Sequence, residues 1–241
     1  HVGSLRESVS SHVGLVGDAI AALQRAVGDD GADAKRTVVA STDLLSNLAP
    51  LDAEDGSGSP GQIRLAGGAD ALAACLCAFP RTPSGAAANA ALSLRLLATD
   101  GVGVRDVCAA LFEGASITAD LTSSLLTEKA VGAHFCGLLH ALALFPESRA
   151  LLATQLGTGA LAGVLDSAFS EAGDPALLGV LMTLCANADA RSAIADWAAA
   201  TGEERLTKLI DSFANVAGVD LAVGVLRLAG GPRVVGIDSE A

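Results

Sequence analysis

Apolar residues recur along this chain at helical spacing. Val9, Val13, Val16, Ile20, Leu23 and Val27 fall alternately four and three positions apart, which places them on one side of an α-helix. That stretch stops at Gly28-Asp29-Asp30-Gly31, a turn-forming run. A second helix is predicted over residues 33–49, closed by Pro50. The same periodicity predicts helices over residues 69–79, 84–99, 104–113, 117–126, 129–145, 149–155, 159–170, 175–188, 191–199, 203–216 and 220–229. Short runs rich in Gly, Pro, Asp and Asn separate them. No stretch alternates at period two for long enough to predict a strand. Residues 51–62, LDAEDGSGSPGQ, are acidic and rich in Gly and Ser. They read as a flexible loop, open to early proteolysis.

The helical pattern itself repeats. Arg64, Arg105, Arg149, Arg191 and Arg233 are separated by 41, 44, 42 and 42 residues. RALLATQLGTGALAGVLDSAF from Arg149, RSAIADWAAATGEERLTKLIDSF from Arg191 and RDVCAALFEGASITADLTSSL from Arg105 compare directly, and RLAGGADALAACLCAF from Arg64 is an earlier copy. A period near 42 built from helical pieces is the signature of an α-solenoid, in which each unit buries its apolar face only against its neighbours. The chain of 241 residues then reads as one helical repeat domain. Residues 1–63 form an irregular N-terminal cap, repeats start near residues 64, 105, 149 and 191, and residues 233–241 form the C-terminal end.

Leu45-Ser46-Asn47-Leu48-Ala49 resembles the end of the third helix of an armadillo repeat, which commonly reads L-S-N-L-A. Later copies are Leu94-Arg95-Leu96-Leu97-Ala98, Leu181-Met182-Thr183-Leu184-Cys185 and Val225-Leu226-Arg227-Leu228-Ala229. Gly159-Ala160-Leu161 and Gly67-Gly68-Ala69 resemble the glycine step before the second helix. The resemblance covers about residues 33–236, and HEAT repeats share its spacing. It implies an all-α, right-handed solenoid of about five armadillo-like repeats. It also implies a non-catalytic scaffold or adaptor that binds a protein segment along a concave groove lined by the third helices.

Armadillo proteins turn two positions per third helix to that groove. Carried over position by position, these are Asp43 and Asn47, Leu92 and Leu96, Leu139 and Ala143, Gly179 and Thr183, and Val223 and Arg227. The spacing of four puts each pair on one helical face. Importin-alpha relatives hold an extended basic peptide on a Trp–Asn ladder here. This sequence keeps Asn47 and has no tryptophan at these positions, which turns the reading away from nuclear-import cargo. Leu, Ala and Gly in the middle of the groove suit an apolar helix or peptide better. Two alternatives stay open. The leucines pack against the second helices in a register shifted by one position, or the chain is an architectural, self-associating module of a larger, cytoskeletal protein. In the second case Val9, Val13 and Val16 would be exposed on an end cap and support homo-oligomers.

Composition narrows the partners. The net charge is −12, the isoelectric point is near 4.6, and aromatics make up 3% with no Tyr. No basic stripe and no stacking platform for nucleic acid is visible. The longest uncharged apolar run, residues 130–145, contains His134 and His140 and reads as a core helix and not as a membrane span. Cys75, Cys77, Cys108, Cys136 and Cys185 form no CxxC pair and fit reduced thiols in a cytoplasmic setting. Cys75 and Cys77, two apart on a helix, point in different directions, so no disulfide is expected.

The sequence supports no catalytic, metal or cofactor site. Gly157 to Gly163 matches GxGxxxG, but a helical segment precedes it where a dinucleotide loop needs a strand. His134, Cys136 and His140 scatter around a helix. Glu147 with Arg149 and Asp189 with Arg191 read as a helix cap plus an ion pair that stacks one repeat on the next. Trp197 falls in a first helix and reads as a packing residue. The opening His1-Val2-Gly3-Ser4, with no initiator methionine, reads as a piece of a larger protein.

Overall fold

The computed structural model describes residues 13–50, 59–115, 117–159, 161–169, 175–213 and 216–230. All regular structure among them is helical. Fourteen α-helices and one short π-helical segment follow one another, and the described residues include no strand. They divide into two compact units.

The first unit contains α1 (Val13–Ala26), α2 (Ala32–Leu48), α3 (Ser59–Leu65), α4 (Gly68–Cys77), α5 (Ser84–Leu97), α6 (Gly101–Cys108), the π segment (Ala109–Gly114) and most of α8 (Lys129–Ala143). Helix α1 packs on α2 and α4, α2 on α5, and α4 on α5 and the π segment. The apolar stripe read from the sequence is the buried one: Val16, Ile20 and Leu23 are at most 2% exposed. Val16 is therefore core and offers nothing to an end cap. Val9 and the side chain of Val13 lie outside the described residues.

The second unit contains α7 (Ala119–Thr127), α9 (Pro146–Thr158), α10 (Ala162–Ala168), α11 (Pro175–Leu184), α12 (Ala188–Thr201), α13 (Glu203–Asp211) and α14 (Val216–Ala229). Helix α9 packs on α12, α11 on α14 and α7 on α10. Leu178, Leu181, Ile194, Ala198, Leu206 and Val225 fill its core. These positions follow helical spacing within each element, so burial and helix formation select the same residues.

Helix starts are written locally. Asp100 accepts a hydrogen bond from the Gly103 N–H at 2.6 Å and caps α6. Asn187 Oδ1 accepts from the N–H groups of Asp189 and Ala190 at 2.8 and 3.2 Å and caps α12. Pro146 begins α9, where a missing N–H costs nothing. Gly202, at φ 84°, turns the chain from α12 into α13 through a backbone state that other residues seldom adopt.

Several sequence boundaries shift for the same reason. Polar runs read as breakers, Pro146-Glu147-Ser148 and Ala188-Asp189-Ala190, are first turns of helices. Within the expected loop 51–62, Ser59 to Gln62 belong to α3, with Pro60 in its first turn. Residues 51–58 lie outside the described residues, as does Arg233.

Candidate functional site

Two of the periodic arginines, Arg149 and Arg191, share a task. Arg149 Nε donates to the Ala143 carbonyl at 2.7 Å, and its Nη2 donates to that of Leu144 at 2.9 Å. Arg191 Nη1 donates to the Cys185 carbonyl at 2.7 Å. Both guanidinium groups reach back to the end of the preceding helix, where carbonyls lack intrahelical donors and the helix dipole is negative. The sequence reading expected Glu147 and Asp189 to cap the helices and the arginines to form ion pairs from one repeat to the next. Among the described residues those pairs do not form, and backbone carbonyls take their place. Arg64 acts differently: Nη1 meets Asp100 Oδ1 at 2.9 Å, tying α3 to the start of α6. The Gly103 N–H, and to a lesser degree the Arg64 guanidinium, hold the Asp100 carboxyl below the usual carboxylate range against slight burial.

The third-helix positions divide by unit. In the first unit Asp43 and Asn47 are exposed on α2, and Leu92 and Leu96 are half-buried on α5, the helix α2 packs against. Asn89 Nδ2 donates to Asp43 Oδ1 across the two helices. Asn47 Nδ2 donates to the Asp43 carbonyl at 2.8 Å. The structure thus brings Asp43, Asn47 and the neighbourhood of Leu92 onto adjoining helices. In the second unit Gly179 and Thr183 on α11 and Val223 on α14 are half-buried, while Arg227 is exposed. Those two helices approach closely, because a Cβ at Gly224 would lie 2.5 Å from Met182 Cε. Thr183 Oγ1 turns inward on its own helix and donates to the Gly179 carbonyl at 3.0 Å.

Leu139 and Ala143 are corrections. They are 1% and 0% exposed, so on α8 they belong to the core and to no groove. The exposed positions are one residue later: His140, and Leu144 at 56% exposure. On this helix the burial fits the one-residue shift kept open from sequence. A purely apolar segment offers no polar residue to fix its phase, and a slip of one position rotates a helix by about 100°.

Two residues of the first-unit face were not read from sequence. Asn89 sits in an alanine run three positions before Leu92, and its polarity in that run was the available signal. Arg95 extends toward α8, where a Cβ at Gly137 would lie 3.0 Å from Arg95 Nη1. Other candidate chemistry disperses. His134 is half-buried, Cys136 buried and His140 exposed, and no group of three metal-ligating side chains occurs among the described residues. Burial pushes the Cys75 thiol up to about 12, and those of Cys77, Cys108 and Cys185 to about 11. Thiols held neutral are poor nucleophiles. Helix α9 precedes Gly159, so the glycine pattern has no strand before it. No described helix is long and apolar enough to cross a membrane. No family model matches the chain, and no curated protein sequence is significantly similar to it.

Proposed function

We propose that this chain is a right-handed, armadillo-like α-solenoid of about five repeats and that it works without catalysis, as a scaffold binding a protein segment against its third helices. The period near 42 supports the architecture, together with the packing of helices one period apart in the second unit, α9 on α12 and α11 on α14. The single observation that carries the function is the partial exposure of Leu92 and Leu96 near the polar residues Asp43 and Asn89. Apolar side chains one helical turn apart, rimmed by ordered polar groups, are the makings of an interface core. Five cysteines, none of them in a disulfide, fit a reducing, cytoplasmic setting.

The test is Leu96→Glu. On a half-exposed face the new charge stays hydrated, so the melting temperature should move little, whereas a charge forced into a core costs several kcal/mol. Proteins retained from native lysate by the wild-type chain should be lost with the variant. A folded variant that retains them would move the binding face elsewhere. A second reading, self-association, rests on Leu65 and Val102. They are 93% and 51% exposed, and each adjoins a member of the Arg64–Asp100 ion pair. Sedimentation of the wild type and of Leu65→Ser would reveal a dimer that the substitution dissolves.

A further inference from the structure

We infer that the first-unit face takes an amphipathic helix of a partner protein that carries one Lys or Arg beside its leucine-type stripe, with the cation seated on Asp43. The inference rests on the reading above and adds the partner's chemistry.

Three observations lead to it. Along α2 the exposed stripe is Arg36, Ala40, Asp43 and Asn47. Arg36 is engaged with Asp33, so the charge at the middle of the stripe is the Asp43 carboxylate. Among the described residues no cation pairs with it. Next, that carboxylate is held in place. Asn89 of α5 donates to Oδ1. An ordered anion with its second oxygen unspent loses little side-chain freedom when a donor arrives. Last, the ground beside it is apolar. Leu92 and Leu96 follow Asn89 at spacings of three and four, half-buried.

A ligand covering the leucines would also cover Asp43. Removing a carboxylate from water without a counter-charge is costly, so an apolar or acidic partner is penalised there and a cationic donor is favoured. Leu92 and Leu96 stand about 5–6 Å apart, the spacing at which a second helix sets its own i and i+4 side chains. The chain's charge of −12 would draw such a partner in and speed encounter.

The experiment uses three labelled peptides and the whole chain. One is an Ala/Leu helix with a single Lys beside its leucine stripe, the second carries Glu at that position, and the third is the Lys peptide broken by a central Pro. Fluorescence anisotropy should show the Lys helix bound most tightly. Asp43→Asn keeps the hydrogen bond from Asn89 and should weaken that peptide at least about tenfold. Glu203→Gln, an equal charge change at an exposed position of α13 in the other unit, should leave it within about twofold. Equal losses from the two substitutions would reduce the effect to net charge and overturn the inference. So would equal affinity for the Glu peptide or the Pro-broken peptide, or no binding of any peptide. Leu96→Ala separates the two levels. If it removes binding while Asp43→Asn does not, the face stands and the cation seat falls. If it changes nothing, the face itself is wrong.

Discussion

At the residue scale the cysteines and Asp100 show burial and hydrogen bonding pulling ionisation in opposite directions. A thiol raised from 9.0 toward 11 or 12 by burial keeps its proton in the folded chain at pH values where the unfolded chain has lost it. Stability from these groups is full below about pH 9 and falls as pH rises toward the folded values. The melting temperature should therefore decline from about pH 9 upward, and Cys75→Ala should flatten that decline. A profile through pH 10.5 that is level, or unchanged by Cys75→Ala, would contradict this. Asp100 behaves in the reverse sense. Its carboxyl lies below 3.8 in the folded chain, so its contribution is present above about pH 4 and lost as pH falls through that region. Asp100→Ala removes the α6 cap and should cost about 1 kcal/mol at neutral pH, measured by urea unfolding. Asp100→Asn retains a capping oxygen and should cost less than half as much.

At the scale of helices, glycines separate packing demands from tolerance. A Cβ at Gly103 would lie 1.9 Å from the Leu97 carbonyl oxygen and 2.6 Å from Arg64 Nη1. Backbone cannot give way cheaply, so Gly103→Ala should destabilise by about 1–3 kcal/mol. Gly179 lies inside α11 with nothing within 4 Å of a built Cβ, and Gly179→Ala should stabilise by about 0.5–1 kcal/mol through helix propensity. Paired thermal melts check both signs, and a neutral Gly103→Ala would mean that the Leu97 carbonyl does not approach Gly103 so closely. Legibility at this scale followed phase information. The stripe Val16, Ile20 and Leu23 was readable because its large side chains recur at helical spacing among Gly and Ala, with Asp18, Gln24 and Arg25 marking the opposite side. The face of α8 was not, because residues 130–145 carry no charge and nearly every phase looks apolar. The Arg149 and Arg191 spacing was visible, but its chemistry was not, since a carbonyl acceptor leaves no mark in side-chain sequence. Asp43 and Asn47 were readable as polar positions in a helical period. Their tie to Asn89 needed a contact between helices 46 residues apart in sequence.

At the scale of the molecule, the proposed repeat architecture predicts how the chain comes apart. In a solenoid each unit is stabilised by itself and its neighbours, so damage in one place need not spread to the other end. A single globular core would instead melt in one step. The chain carries its own reporter, since its one tryptophan, Trp197, lies in the second unit. There Trp197 Nε1 donates to Asp166 Oδ1 at 3.0 Å, and its ring sits 4.8 Å from that of Phe169. Helical circular dichroism, by contrast, reports on both units. Leu178 on α11 is fully buried in the second unit, and Leu178→Ala should cost about 2–5 kcal/mol there. In urea the variant's tryptophan fluorescence should then change at lower denaturant than the bulk of its helical signal, which should split into two steps. The first step should match the fluorescence midpoint, and the second should stay close to that of the wild type. Coincident midpoints for both probes in Leu178→Ala would describe one cooperative core, and the solenoid reading would fall with it.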